Sequence, residues 1–269
     1  MHRIIRTGAV AASALALATG VAACQPNVNQ DNLRHEVSAL SGNQWYMSDT
    51  RVGGGVVLTQ TSDPGGSGIG GPAGFGTGSL ALTTNGQNTA KAQVLTAQFG
   101  GTLLSDVERL SYQTFQHPTH LEEGGFVDGV PSFQVTVDVN GGEAGGFTTL
   151  VYEPYNTSTN DVQNNVWQEW QPTDEGQNVA SSRTIAEDCT TTQTGNPAGA
   201  PFESYASIAA RCPNAVVLEI GVNVGSFNPN YVTAVDDLEV QIADNDDEGT
   251  EPQLSTFDFG PKGSSSAPT

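Results

Sequence analysis

The segment Phe133-Gln134-Val135-Thr136-Val137-Asp138-Val139 places an apolar residue at every second position and runs directly into Asn140-Gly141. A side-chain period of two belongs to a β-strand with one face on the core, and Asn-Gly is a turn dipeptide, so the pattern predicts a half-buried strand ending in a turn. The same alternation recurs from Val216 to Val224 and from Leu238 to Ile242. Runs at 55–60, 78–84, 92–99, 108–116, 147–153, 164–170 and 253–259 read as further strands, ten or more in all. One short helix is expected from Phe202 to Arg211, where Ala206, Ile208, Ala209 and Ala210 follow Pro201 and the pattern stops at Cys212-Pro213. These elements predict an all-β chain.

Between the strand runs lie glycine-rich connections: Gly53 to Gly55, Asp63 to Gly78 and Gly141 to Gly146. Glycine supplies the positive φ that tight turns need. The stretch Gly70-Gly71-Pro72-Ala73-Gly74-Phe75-Gly76 has no following Lys-Ser or Lys-Thr and no helix to open, so it reads as a connector and not as a phosphate loop. No fixed repeat and no long interior linker divides the chain, and one domain over residues 44–260 is the expectation, followed by a disordered Pro-, Gly- and Ser-rich tail at 261–269.

Residues 1–23 have the parts of an export signal: Arg3 and Arg6, an apolar stretch from Ala9 to Ala18, and small residues before a cut. The apolar stretch makes about 15 to 21 Å of helix, short of the roughly 30 Å hydrocarbon core, which favours a removed signal over a permanent span. Val21-Ala22-Ala23-Cys24 resembles the lipobox of bacterial lipoproteins. That resemblance implies that Cys24 carries a diacylglyceryl thioether and becomes the new N-terminus, with palmitate-type chains in the bilayer and the polar residues 24–43 as a flexible tether. Ordinary cleavage after Ala23 would leave Cys24 unmodified. Lipidation predicts display on the outer face of a cell membrane, since two or three acyl chains anchor far more firmly than one.

Loss of residues 1–23 removes Arg3 and Arg6 and leaves seven Lys+Arg against 29 Asp+Glu, a net charge of −22. Such a surface repels phosphate backbones and excludes nucleic acid as a partner; it also serves solubility without any ligand. With Cys24 assigned to lipid, Cys189 and Cys212 remain, and an even pair in an exported chain predicts a disulfide. It closes a loop worth roughly 3 to 4 kcal/mol in the chain-entropy model. A two-cysteine metal site is the alternative, but His117 and His120 are distant in sequence.

Several segments together resemble a group of uncharacterised extracellular bacterial domains with a jelly-roll sandwich similar to concanavalin-type lectins and laminin G modules. They are Gly76 to Leu80, Phe99 to Leu103 with Leu110-Ser111-Tyr112, Thr148 to Pro154, Ile220 to Asn223, and Ala234 to Leu238. The resemblance implies a jelly-roll β-sandwich with one short helix, and it brings neither catalytic residues nor a cofactor.

Trp167-Gln168-Glu169-Trp170 is the most lectin-like patch, since indoles stack on sugar faces while amides and carboxylates bond to hydroxyls. In a flat strand residues three apart face opposite ways, so at most one of the two indoles is expected outside. Glu169 and Glu219 are the one strand-borne pair for a glycosidase, which needs carboxylates about 5 to 9.5 Å apart. Against an enzyme, neither a Glu-x-Asp-x-Glu strand nor a Gly-x-Ser-x-Gly elbow occurs. Asp244-Asn245-Asp246-Asp247-Glu248-Gly249 resembles half of a calcium loop, though the twelfth position is Ser255, and a charged turn is the simpler reading. Asp236-Asp237 could add ligands, or one of them could bond to a neighbouring loop. His117 and His120 with Glu122 and Glu123 are expected in a solvent loop, because Pro118 breaks any helix that would aim both imidazoles one way. The chain is therefore expected to be a binding or structural module, with glycan as the favoured ligand and no metal or cofactor. A glycan-active hydrolase and a calcium-stabilised scaffold are the rivals.

Overall fold

The computed structural model describes residues 33–40, 44–60, 69–73, 77–117, 130–157, 162–192, 202–225, 227–243 and 252–260. Residues 1–32, the acidic run at 244–251, His120, Glu122, Glu123 and residues 261–269 lie outside them, and with them the expectations for Cys24, Asp244, Asp246 and Glu248.

Two sheets form a jelly-roll β-sandwich. Sheet A contains β1 (Leu33–Val37), β3 (Gly54–Gln60), β4 (Gly78–Thr84), β6 (Val107–Gln116), β9 (Trp167–Trp170), β14 (Val232–Ile242) and β15 (Gln253–Phe259). Sheet B runs in the order β10 (Ala180–Ser181), β8 (Phe147–Tyr152), β7 (Ser132–Asp138), β13 (Val216–Val224), β5 (Ala92–Thr96), β2 (Tyr46–Met47). A small ribbon pairs β11 (Thr184–Ile185) with β12 (Thr191–Thr192). The inner faces interlock: the rings of Tyr112 on β6 and Phe133 on β7 lie 5.2 Å apart, and the Tyr112 hydroxyl donates to the Pro131 carbonyl at 2.8 Å. At one end Trp45 stands edge-on to Phe257 at 5.2 Å and to Phe259 at 4.9 Å.

β14 is the spine of sheet A. One of its edges pairs with β6, while the other is shared by two strands laid end to end, β4 against Val232–Val235 and β15 against Leu238–Ile242. Where they meet, a Cβ on Gly78 would sit 2.5 Å from the Gly260 Cα, so only glycine lets the two chain ends approach this closely. The carboxylate of Asp236 lies at this joint and accepts the Phe259 N–H at 2.7 Å. On its other edge β14 takes three residue steps, Asp236 to Glu239, against two on β6, Gln113 to Ser111. This bulge puts Asp237 at φ 49°, a left-handed conformation that aspartate tolerates better than most residues.

Several boundaries and one burial expectation differ from the sequence reading. The strand at 133–139 is buried on both faces, because the outward Ser132, Gln134 and Thr136 are only 6%, 9% and 6% exposed. Their burial is tolerated through cross-strand bonding: Ser132 donates to the Asn223 side chain at 2.6 Å and Asn223 to Gln93 at 3.3 Å. The run at 92–99 stops at Thr96, where Gly100 N–H turns back to the Ala97 carbonyl, and the run at 164–170 starts at Trp167. The strand expected at 238–242 begins at Val232. The helix begins at Tyr205, three residues later than expected, since Ser204 caps it by accepting the Ser207 N–H at 3.2 Å. Leu33–Val37, assigned to a flexible tether, is instead a parallel edge strand on β15. There His35 stacks on Phe257 at 5.0 Å, Arg34 pairs with Asp258 at 2.6 Å and Val37 is buried.

Cys189 and Cys212 are joined in a disulfide that ties the end of the helix Tyr205–Arg211 to the loop after β11. Arg211 reinforces the tie, forking onto both Glu203 oxygens at 2.7 and 2.9 Å and donating to the Ile185 and Ala186 carbonyls.

Candidate functional site

The register of β9 on β6 and of β6 on β14 assembles the outer face of sheet A in rows. Phe115 stands opposite Trp167, Gln113 opposite Glu169 and Asp236, and Ser111 opposite Glu239. Along β6 the inward Leu110, Tyr112 and Thr114 are buried, while Arg109, Gln113 and Phe115 stand half-buried on the outer side with the buried Ser111 between them. The result is an aromatic corner, the tilted pair Phe115 and Trp167 with ring centroids 5.6 Å apart, continuing into a polar strip.

The two indoles diverge as strand alternation requires. Trp170 is 2% exposed and donates to the Thr114 hydroxyl at 2.7 Å inside the sandwich. Trp167 is half-buried on the outer face, its ring fixed by an Nε1–H bond to the Gly70 carbonyl at 3.2 Å.

In the strip, Arg109 bridges Glu169 at 3.2 Å and Glu239 at 3.3 Å, Gln171 donates to Glu169 at 2.6 Å, and Ser111 donates to Glu239 at 3.0 Å. The Glu169 and Arg109 side chains are 47% and 40% exposed, so both can exchange these partners for a ligand. Asp237 accepts from the Gln113 amide at 2.7 Å. Burial above all, and then the charges of Glu239 and Glu169, push its carboxyl up to about 6. Its neighbour Asp236 is pushed up to about 8 by burial, against the pull of the Phe259 and Asp237 N–H groups.

The outer face of sheet B is different in kind. Gln93, Asn223 and Ser132 are buried and satisfy one another, and Tyr46 bonds to Glu219. Burial and that bond raise the Tyr46 phenol to about 12. Its polar atoms serve the sheet.

Glu169 and Glu219 do not form a pair: they stand on the outer faces of opposite sheets. Two sheets packed about 10 Å apart keep outward carboxylates beyond the roughly 5 to 9.5 Å that glycoside hydrolysis uses. Among the described residues no group of three His, Cys, Asp or Glu is arranged to hold a metal ion, and Asp236 and Asp237 are engaged as above. His117 sits at the end of β6, its N–H on the Val232 carbonyl. Arg109, Gln113, Phe115 and Glu239 were not singled out by sequence. The period of a strand puts Arg109, Ser111, Gln113 and Phe115 on one side of β6, but only the pairing with β9 brings them to Trp167 and Glu169.

No family model and no curated protein matches the chain. Among solved structures it is similar to a family 11 carbohydrate-binding module of the cellulosomal cellulase Lic26A-Cel5E of Clostridium thermocellum. The identity is 10%, over 76% of this chain and 90% of that one, with a TM-score of 0.37. A family 11 module from Clostridium thermocellum in complex with a beta-1,3-1,4-mixed-linked tetrasaccharide shows 10% identity over 76% and 98% of the two chains, with a TM-score of 0.34. An exo-beta-agarase shows 9% identity and a TM-score of 0.39; 78% of this chain corresponds to 24% of that enzyme.

Proposed function

We propose that this chain is a glycan-binding module, displayed on the outer face of a bacterial membrane by acyl chains on Cys24, and that it cleaves no bond itself. The observation that carries the reading is the register of Phe115 and Trp167 beside Gln113 and Glu169 on one exposed face. An aromatic corner offers a flat apolar surface to the C–H face of a sugar ring. The amide and carboxylates beside it accept and donate hydrogen bonds to ring hydroxyls, and the hydrogen bond that holds Trp167 lowers the entropy cost of presenting it.

Bonds to charged groups contribute about 1.5 to 3 kcal/mol each, and association cost cancels much of the sum. Dissociation constants between roughly 10 μM and 1 mM follow, sufficient for a module that engages a polymer at several points.

Affinity electrophoresis through gels holding soluble polysaccharides tests the reading. The processed chain is expected to be retarded in at least one gel, and Trp167→Ala to migrate freely there. Loss of a central stacked aromatic costs about 2 kcal/mol or more, some thirtyfold in affinity. Migration unaffected by every polysaccharide would overturn glycan binding. Reducing ends released from the retained polymer, and lost in Glu169→Gln or Glu219→Gln, would overturn the non-catalytic reading. The anchor is tested by intact mass: acyl mass is expected on the N-terminal fragment, and a bare Cys24 contradicts it.

A further inference from the structure

We propose that the glycan taken by this face carries amino sugars with free, protonated amines. The inference rests on the glycan reading above and specifies its ligand class. The face presents Glu36, Asp258, Asp237, Glu239 and Glu169 against two cations, Arg34 and Arg109. Both guanidinium groups are already held, Arg34 by Asp258 at 2.6 Å and Arg109 by Glu169 and Glu239.

Asp237 is the buried carboxylate of this group, and the charge of Arg34 already acts on it. It is 7% exposed; Gln113 satisfies Oδ2, but Oδ1 is buried and has no hydrogen-bond partner among the described residues. A buried carboxylate oxygen without a donor is costly, and a ligand that brings a donor with positive charge removes the cost twice, by bonding and by Coulomb attraction. Burial first, and then the charges of Glu239 and Glu169, raise its carboxyl to about 6, and a further cation beside it would oppose that rise.

A bare metal ion fits less well, since among the described residues no group of three His, Cys, Asp or Glu is arranged to hold one. A uronic acid adds a sixth negative charge. An ammonium group, which carries its own donors and tolerates irregular geometry, suits a site of this kind. It enters beside Glu169 and Arg109, whose long exposed side chains can move aside.

Binding of the processed chain to glucosamine oligomers, N-acetylglucosamine oligomers of the same length and neutral gluco-oligomers separates the possibilities. The free-amine series is expected to bind at least about tenfold tighter at about 0.05 M salt, with most of the preference gone at about 0.5 M, where the Debye length is only a few ångströms. Asp237→Asn, a residue that also accepts positive φ, and the exposed Glu169→Gln should each shrink the preference severalfold. Trp167→Ala should weaken all bound oligomers alike. Equal binding of amine and N-acetyl series, or a preference that salt and both carboxylate variants leave intact, overturns the amino-sugar assignment while glycan binding stands. If no oligomer or polysaccharide binds, the glycan reading fails and takes this inference with it.

Discussion

Asp236 makes the stability of this domain fall as pH rises, and the size of the fall can be worked from its position. The residue is fully buried at the joint where β4 and β15 meet on β14; it holds the Phe259 N–H through Oδ1, and Oδ2 has no partner among the described residues. Burial raises its carboxyl from 3.8 to about 8 in the folded chain. The folded state thus keeps a proton that the unfolded state has released. The stabilisation is fully present below about pH 4 and disappears as pH climbs through 8. At about 1.4 kcal/mol per pH unit, the interval from pH 5 to pH 9 removes on the order of 4 kcal/mol, a large share of an ordinary domain's 5 to 15 kcal/mol. Asp237, raised to about 6, adds a smaller loss of the same sign at lower pH. Asp49, lowered to about 2 by Arg51 and Lys91, acts oppositely and only in acid, outside the interval. Asp236→Asn keeps an acceptor for Phe259 and cannot ionise. Urea unfolding at pH 5 and pH 9 should show the variant close to wild type at pH 5 and several kcal/mol more stable at pH 9. Parallel pH profiles for the two proteins, especially above pH 7, would refute the reasoning.

Three further outcomes test the architecture. Deleting Leu33–Val37 removes a ladder and the burial of Val37 opposite Phe259, about 2 kcal/mol or more, and should lower Tm by roughly 4 to 8 °C; an unchanged Tm would return the segment to a tether. Replacing Cys189 and Cys212 together with serine should lower unfolding free energy in urea by about 3 to 4 kcal/mol, and a loss below 1 kcal/mol would show that Arg211 and Glu203 hold the helix alone. Trp170→Ala should cost about 3 to 5 kcal/mol of stability, Trp167→Ala about 1 kcal/mol; equal costs would contradict their assignment to opposite faces.

Most strands were legible in sequence: β13 falls where the alternation put it, and β4 and β15 coincide with the runs at 78–84 and 253–259. The failures have a common physical cause, which is polar residues buried by partners far away in the chain. Val232–Asp237 of β14 was not read as part of a strand run because Thr233 and Asp236 are polar yet buried, Thr233 donating to the Phe115 carbonyl at 2.7 Å and Asp236 accepting the Phe259 N–H. β1 offers one buried side chain and is otherwise held by Arg34 and His35 to residues more than 200 positions on. The functional face was half legible: Trp167 and Glu169 stood out, whereas their partners on β6 belong to the site through a register that no local pattern encodes.

The central claim is that the outer face formed by β6, β9 and β14 is where a glycan lies. Amide hydrogen exchange of the processed chain, with and without the best-retained polysaccharide, locates the contact directly. Added protection confined to Arg109–Gln116, Trp167–Gln171 and the bulge at Asp236–Glu239 is the predicted result. Protection on β5, β7 and β13 instead, or none anywhere while the polysaccharide is bound, would contradict it.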